Sequence, residues 1–364
     1  MSRAVFVLVI LAAITILLWW MRRRAAPRTQ ASRTAVITPP AAVPALPSPH
    51  NGADERVLRA IPGELYAQAL EDERAADPHA QPAPEHVSVL LAASREIAQV
   101  GSEPRYTPRQ PAMLPQIMEA VNDEDASLRS LSRIIAQDPE LTSDLLRAAN
   151  SPLYRVSSTP VESIERAAAL VGTQGIRTLI TAALMKPLAA AGSGAAGRFG
   201  EVMWEHSLYS ASAAEACAAR TQDCDPYTAH LLGLLHGLGS VAVYRALMNQ
   251  YAAHPGLVPD AAALSQSLGA QSAVTAQRIA ANWGLSDRTQ EALESQSSAA
   301  PVSMDSPLGR ALRFGRTAGA LVLLCVHGRI SADGGHAQLA AAGYGSPQMQ
   351  RIWERLIKAY VSAR

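Results

Sequence analysis

Apolar positions recur at helical spacing along most of the chain from residue 85 onward, and no convincing run alternates with period two. Leu128, Leu131, Ile134 and Ile135 mark the apolar face of a first helix in the central stretch 125–180. Asp138-Pro139 ends it and starts the next: Asp138 suits the N-cap and Pro139 the first helical position. Leu141, Leu145, Leu146 and Ala149 form the second helix's buried stripe, which Asn150-Ser151-Pro152 terminates. A third helix begins near Val161, carries Ile164, Ala168 and Leu170, and stops at Gly172. Residues 85–99, 176–190, 201–220, 226–252, 260–268, 270–283, 288–296, 308–328 and 346–362 continue the pattern, with Ile352, Leu356 and Tyr360 on one face of the last. Gly237 and Gly239 are expected to interrupt the helix over 226–252. Leu58, Ile61, Leu65 and Leu70 predict a short helix or two around Pro62.

The start of the chain reads differently. Residues 4–21 hold a single polar side chain, Thr15, and as a helix would span about 27 Å at ~1.5 Å per residue, enough for a hydrocarbon core. Trp19 and Trp20 fit an interfacial aromatic belt. Arg22, Arg23 and Arg24 follow at once, which places the C-terminal bulk in the cytoplasm and argues against a cleaved leader. Ten of the 24 prolines fall in residues 25–84, and within them 35–49 reads as a semi-extended tether with little to bury. The expected organisation is an anchor over 1–24, a Pro/Ala-rich linker over 25–84, a leading helix over 85–104, a helical domain over 105–300 and a helical extension over 301–364.

Composition narrows the function classes. Apolar residues make up 48% and aromatics 5%, with a net charge of +1, so the core is ample but no global field or basic aromatic stripe attracts nucleic acid. The three cysteines are scattered without CxxC spacing, as expected of free thiols in a reducing compartment. Gly233, Gly237 and Gly239 lie in an apolar run with no Lys-Ser/Thr after them and do not read as a phosphate loop.

Three blocks carry a resemblance. The first combines Asp138-Pro139, Leu145-Leu146, Ala149-Asn150-Ser151, Ser163-Ile164, Ala168 and Leu170-Val171-Gly172. The second is WEHSLYSASAAEACA (204–218), with Trp204, His206 and Ser207. The third is AHLLGLLHGLGSVAVY (229–244), with Gly233, His236 and Gly239. In this order and spacing they resemble the HDOD family, helical signalling domains related to the HD metal phosphohydrolases. The resemblance implies an all-α, HDOD-type multi-helix bundle.

It also implies where chemistry would sit. Active HD enzymes hold divalent metal with a histidine, an adjacent His-Asp pair and a further aspartate, and activate water against a phosphoryl group. Here His206 and His236 stand at the histidine positions. Gly237 replaces the aspartate, Gln271 stands where a histidine is common, and Ser295-Gln296 where a His pair is. Two imidazoles hold a divalent ion poorly. The expectation is therefore no enzyme, no metal, no cofactor and no catalytic residue. The implied role is a signalling or adaptor module at the cytoplasmic face of a bacterial inner membrane, contacting lipid through residues 4–21 and binding an unidentified protein or small ligand. The alternative is a degenerate but active HD-type phosphohydrolase.

Overall fold

The computed structural model describes residues 55–77, 79–100, 102, 128–137, 139–150, 160–189, 195–297 and 306–361. The apolar segment 4–21, with Trp19, Trp20, Arg22, Arg23 and Arg24, lies outside them, as do Asp138 and Ser151. Among the described residues all regular structure is helical, without a strand. Twelve α-helices follow in order: α1 Glu55–Leu70, α2 Val87–Ala98, α3 Leu128–Ile135, α4 Pro139–Ala149, α5 Ile164–Ala189, α6 Ala195–Ala218, α7 Pro226–Ala252, α8 Ala261–Asn282, α9 Asp287–Glu294, α10 Pro307–Val326, α11 Ala332–Leu339 and α12 Pro347–Tyr360. The all-α expectation holds.

The local rules of the sequence set these boundaries. Asp225, Asp260, Ser306, Ser331 and Ser346 cap α7, α8, α10, α11 and α12, each accepting a bond from a first-turn amide. Pro226, Pro307 and Pro347 start three of them, where a missing N–H costs nothing. α4 begins at Pro139, as the Asp138-Pro139 pair predicts. α5 breaks at Gly172, whose φ of 69° is the left-handed conformation that glycine adopts cheaply. Asn150 does more than end α4. Its Nδ2 donates to the carbonyls of Leu146 and Val161 (both 2.9 Å), and its Oδ1 accepts from Val161 N–H at 2.7 Å. One side chain thereby ties the end of α4 to the start of α5.

Four helices form the stack on which everything else rests: α10, α6, α7 and α8. They touch through backbone. A Cβ at Gly233 of α7 would lie 2.7 Å from Ala211 Cα on α6. One at Gly315 of α10 would lie 2.6 Å from the Ser210 carbonyl, and one at Gly319 2.6 Å from Ser210 N. One at Gly239 would run into the Ser272 carbonyl of α8. Glycine at these positions lets the helix axes approach far closer than side-chain packing allows.

That requirement corrects one expectation. Gly237 and Gly239 do not split 226–252; α7 runs unbroken, because the two glycines serve contacts with its neighbours rather than a turn. α7 is also the helix, among the described residues, long and apolar enough to cross a membrane, yet its residues are nearly all buried in the bundle. The pairs 260–268 and 270–283 likewise merge into α8, and α1 continues through Pro62.

The core is one continuous cluster that also takes in α1, α10 and α12. Ile352 and Leu356 of α12 are buried, and the Tyr360 hydroxyl lies 2.8 Å from Ser212 Oγ on α6. Replacing Asn150 by Ala removes three hydrogen bonds and leaves two Val161 backbone groups partly buried without their partner. Urea unfolding should register a loss of about 2–3 kcal/mol. An unchanged midpoint would show that the α4–α5 junction is held by packing alone.

Candidate functional site

His206 of α6 and His236 of α7 meet in the interior of the stack, both nine-tenths or more buried. α10 supplies what faces them. The Arg316 guanidinium lies close enough to both rings to oppose their protonation, and close enough to the Tyr66 phenol from α1 to favour its ionisation against the larger opposing effect of burial. His206 Nε2 is 3.3 Å from the Arg316 carbonyl and 3.1 Å from Ser210 Oγ. A carbonyl only accepts, so this bond puts the ring proton on Nε2 and takes that nitrogen out of use as a metal ligand. Arg316 Nη1 donates in turn to the Gln296 carbonyl and to Gln296 Oε1, both at 3.4 Å. Gln296 is itself buried, its Nε2 donating to Ala292 O, Gly309 O (both 3.1 Å) and Ser295 Oγ (3.0 Å).

Burial decides the protonation of both imidazoles. Desolvation, with the Arg316 charge added, lowers His206 to about 4, although its bond to the Arg316 carbonyl pulls the other way. His236 falls well below the ordinary histidine range, from burial first and then from the Arg316 and His206 charges. At neutral pH the chamber therefore holds two neutral rings and one guanidinium. His236 Nε2 is buried without a hydrogen bond, and Ser272 faces the Tyr66 phenol. Among the described residues, no group of three or more His, Cys, Asp or Glu side chains is placed to hold a metal ion.

Residues 107–299, more than half of the chain, match the HDOD domain family. The chain belongs to the HDOD family. Several solved structures are similar to it. One is an HDOD domain protein of unknown function from Geobacter sulfurreducens, 19% identical over 75% of this chain and 99% of its own, with a TM-score of 0.45. A Shewanella amazonensis SB2B protein, provisionally named a metal-dependent phosphohydrolase, is 18% identical over 75% of this chain and 98% of its own (TM-score 0.44). The MmoQ response regulator from Methylococcus capsulatus str. Bath is 21% identical over 68% and 97% (TM-score 0.35). Likeness at this level says nothing of chemistry. No curated protein matches the chain.

The HDOD motif positions divide into those that build helices and those that reach the chamber. Pro139, Asn150 and Gly172 serve helix boundaries, Gly233 and Gly239 helix approach, and Trp204 packs partly buried against the core. Gln271 turns its amide to Ser94 Oγ of α2, at 3.3 Å. Ser207 has a sharper role. Its hydroxyl donates to the Met203 carbonyl at 2.6 Å, and a Cβ built on Gly237 would collide with that Oγ and lie 3.0 Å from Ser207 Cβ. The position beside His236 that would carry a carboxylate is filled by the serine of the W-x-H-S segment.

Two chamber residues escaped the reading of the sequence, Tyr66 and Arg316. Both lie outside the matched region. A signal for the second was present: Arg310, Arg313 and Arg316 recur every three residues in an otherwise apolar helix, α10.

Gly237→Asp should therefore cost about 2–4 kcal/mol, through overpacking and a buried carboxylate. Adding Ser207→Gly should recover a measurable part of it. Urea midpoints of the two variants test this; equal midpoints would show that Ser207 does not close the position.

The imidazoles also make stability fall in acid. A histidine with its folded pKa below the unfolded value of ~6.5 binds more protons unfolded, so stability is full above ~6.5 and is lost as pH drops toward 4. For His206 alone the loss is on the order of 3 kcal/mol. The double variant His206→Gln/His236→Gln should show a flatter dependence of the urea midpoint between pH 6.5 and 4 than the parent. An identical slope would contradict the buried neutral rings.

Proposed function

We propose that the chain is a non-enzymatic signalling or adaptor protein, held by residues 4–21 at the cytoplasmic face of a bacterial inner membrane. Its HDOD bundle binds a protein or small-molecule partner. Membership of the HDOD family supports the signalling class. One observation carries the non-enzymatic part: Ser207 occupies the space beside His236 that a metal-bridging carboxylate needs.

Two further features agree. The proton that the Arg316 carbonyl holds on His206 Nε2 blocks that nitrogen as a ligand, and the guanidinium repels a divalent cation from the same chamber. Phosphoryl transfer on a metal needs several anionic or neutral donors converging on one point. A chamber of two neutral rings, hydroxyls and an arginine supplies recognition instead. The anchor rests on the apolar run 4–21, the tryptophans at its end and the arginines behind them. No nucleic-acid partner is proposed, since the net charge is +1 and the aromatics are few.

Full-length protein in detergent, given manganese and a chromogenic phosphodiester, should hydrolyse it no faster than buffer, and His206→Ala or His236→Ala should leave that rate unchanged. Metal-dependent turnover lost on either substitution would establish the phosphohydrolase instead. A reporter fused after Arg364 should behave as cytoplasmic; periplasmic behaviour would overturn the membrane placement.

A further inference from the structure

The region that matches the HDOD family begins at residue 107, yet the chain enters the bundle well before it. α1 buries Ile61, Leu65, Tyr66 and Ala69, and packs on α6, α8 and α10. This face brings the Tyr66 phenol beside Ser240 and Ser272, with the Arg316 guanidinium facing it. A segment outside the family region thus closes the chamber that the family's two histidine positions line.

The closure is imperfect on the inside. His236 Nε2 stays buried without a hydrogen bond while α1 is seated. Buried polar groups left unsatisfied are a free-energy cost of the closed arrangement, one that water or a ligand would relieve.

The fastening outside is weak by construction. Glu71 pairs with Arg198 at 2.5 Å, Glu73 with Arg329, and Arg74 with Asp260 at 2.7 Å. All three strap-side groups are more than half exposed, at 55%, 70% and 57%. The Glu71 and Glu73 pairs, exposed on both sides, contribute little each and weaken with salt, whereas Arg74 reaches a buried carboxylate. Ser265 Oγ adds one bond to the Ala75 carbonyl, at 2.7 Å. Inside α1, Pro62 lacks the N–H that would continue the helical ladder.

We propose that residues 55–77 form a releasable strap: an apolar plug tipped by Tyr66, held down at its end by the two exposed glutamate–arginine pairs, whose release opens the chamber of His236, Ser240, Ser272 and Arg316. It follows residues 35–49, where five of the prolines fall, so tension or a partner acting there would reach the strap first. The inference concerns access to the chamber and stands whether or not the chamber is catalytic.

Hydrogen–deuterium exchange on the full-length chain in detergent tests it. Glu71→Lys combined with Glu73→Lys should speed exchange of the 61–70 amides at least tenfold, while α6 and α7 keep their protection. Adding Arg198→Glu and Arg329→Glu, which restores both pairs with reversed sign, should bring the protection back. In the parent, raising sodium chloride from about 50 to about 500 mM should shift the same amides in the same direction. Unchanged exchange in the variant, failure of the reversed pairs to restore it, or loss of protection in α1 and α7 together would overturn the strap. The last result would make α1 an integral part of the bundle.

Discussion

The structure depends on how closely α6 is allowed to approach its two neighbours. Ser210 and Ala211 of α6 lie against Gly319, Gly315 and Gly233, with no side chain between the backbones. Ala214 continues the contact toward α10. Such approach forgoes large apolar side chains at the crossing and gains dense dispersion contact along the helices. The aromatic content of 5% and the abundance of small residues follow from it. So does the position of the histidines: they are carried by the two helices that this packing brings together, and both are buried there.

The same closeness fixes the chemistry of the chamber. Desolvation keeps both rings neutral, and the cation present is an arginine anchored by Gln296 at the α9–α10 junction. A guanidinium is always charged and offers only donors, so it draws acceptors where a divalent metal would draw ligands. The three cysteines illustrate the same principle elsewhere. Burial pushes Cys217 up to about 12 and Cys224 and Cys325 to about 11, which leaves all three as unreactive free thiols.

Much of this was legible in the chain. Helix boundaries announced by Asp-Pro, Asn-Ser-Pro and a capping Ser before Pro are local chemistry, and local chemistry survives folding. Gly172 read as a stop because its backbone conformation is intrinsic. Gly237 and Gly239 misled because their meaning is not local: the same residue type serves a turn or a helix crossing, and only the partner helix distinguishes the two. Tyr66 was invisible for a related reason, and the spacing that marked Arg316 did not say which chamber it enters. They enter the chamber from helices some 170 residues before and 80 residues after His236, and no spacing rule links positions so far apart. The missing carboxylate at 237 could be read directly; that Ser207 takes its space could not.

At the centre of the proposal is a chamber in which an arginine, not a carboxylate, faces the two imidazoles. Crystals of the protein soaked in manganese, with anomalous scattering collected at the metal edge, examine that directly. The account predicts no anomalous peak between His206 and His236, with the Arg316 guanidinium beside both rings. A manganese ion coordinated by the two imidazoles, with Arg316 displaced, would contradict it.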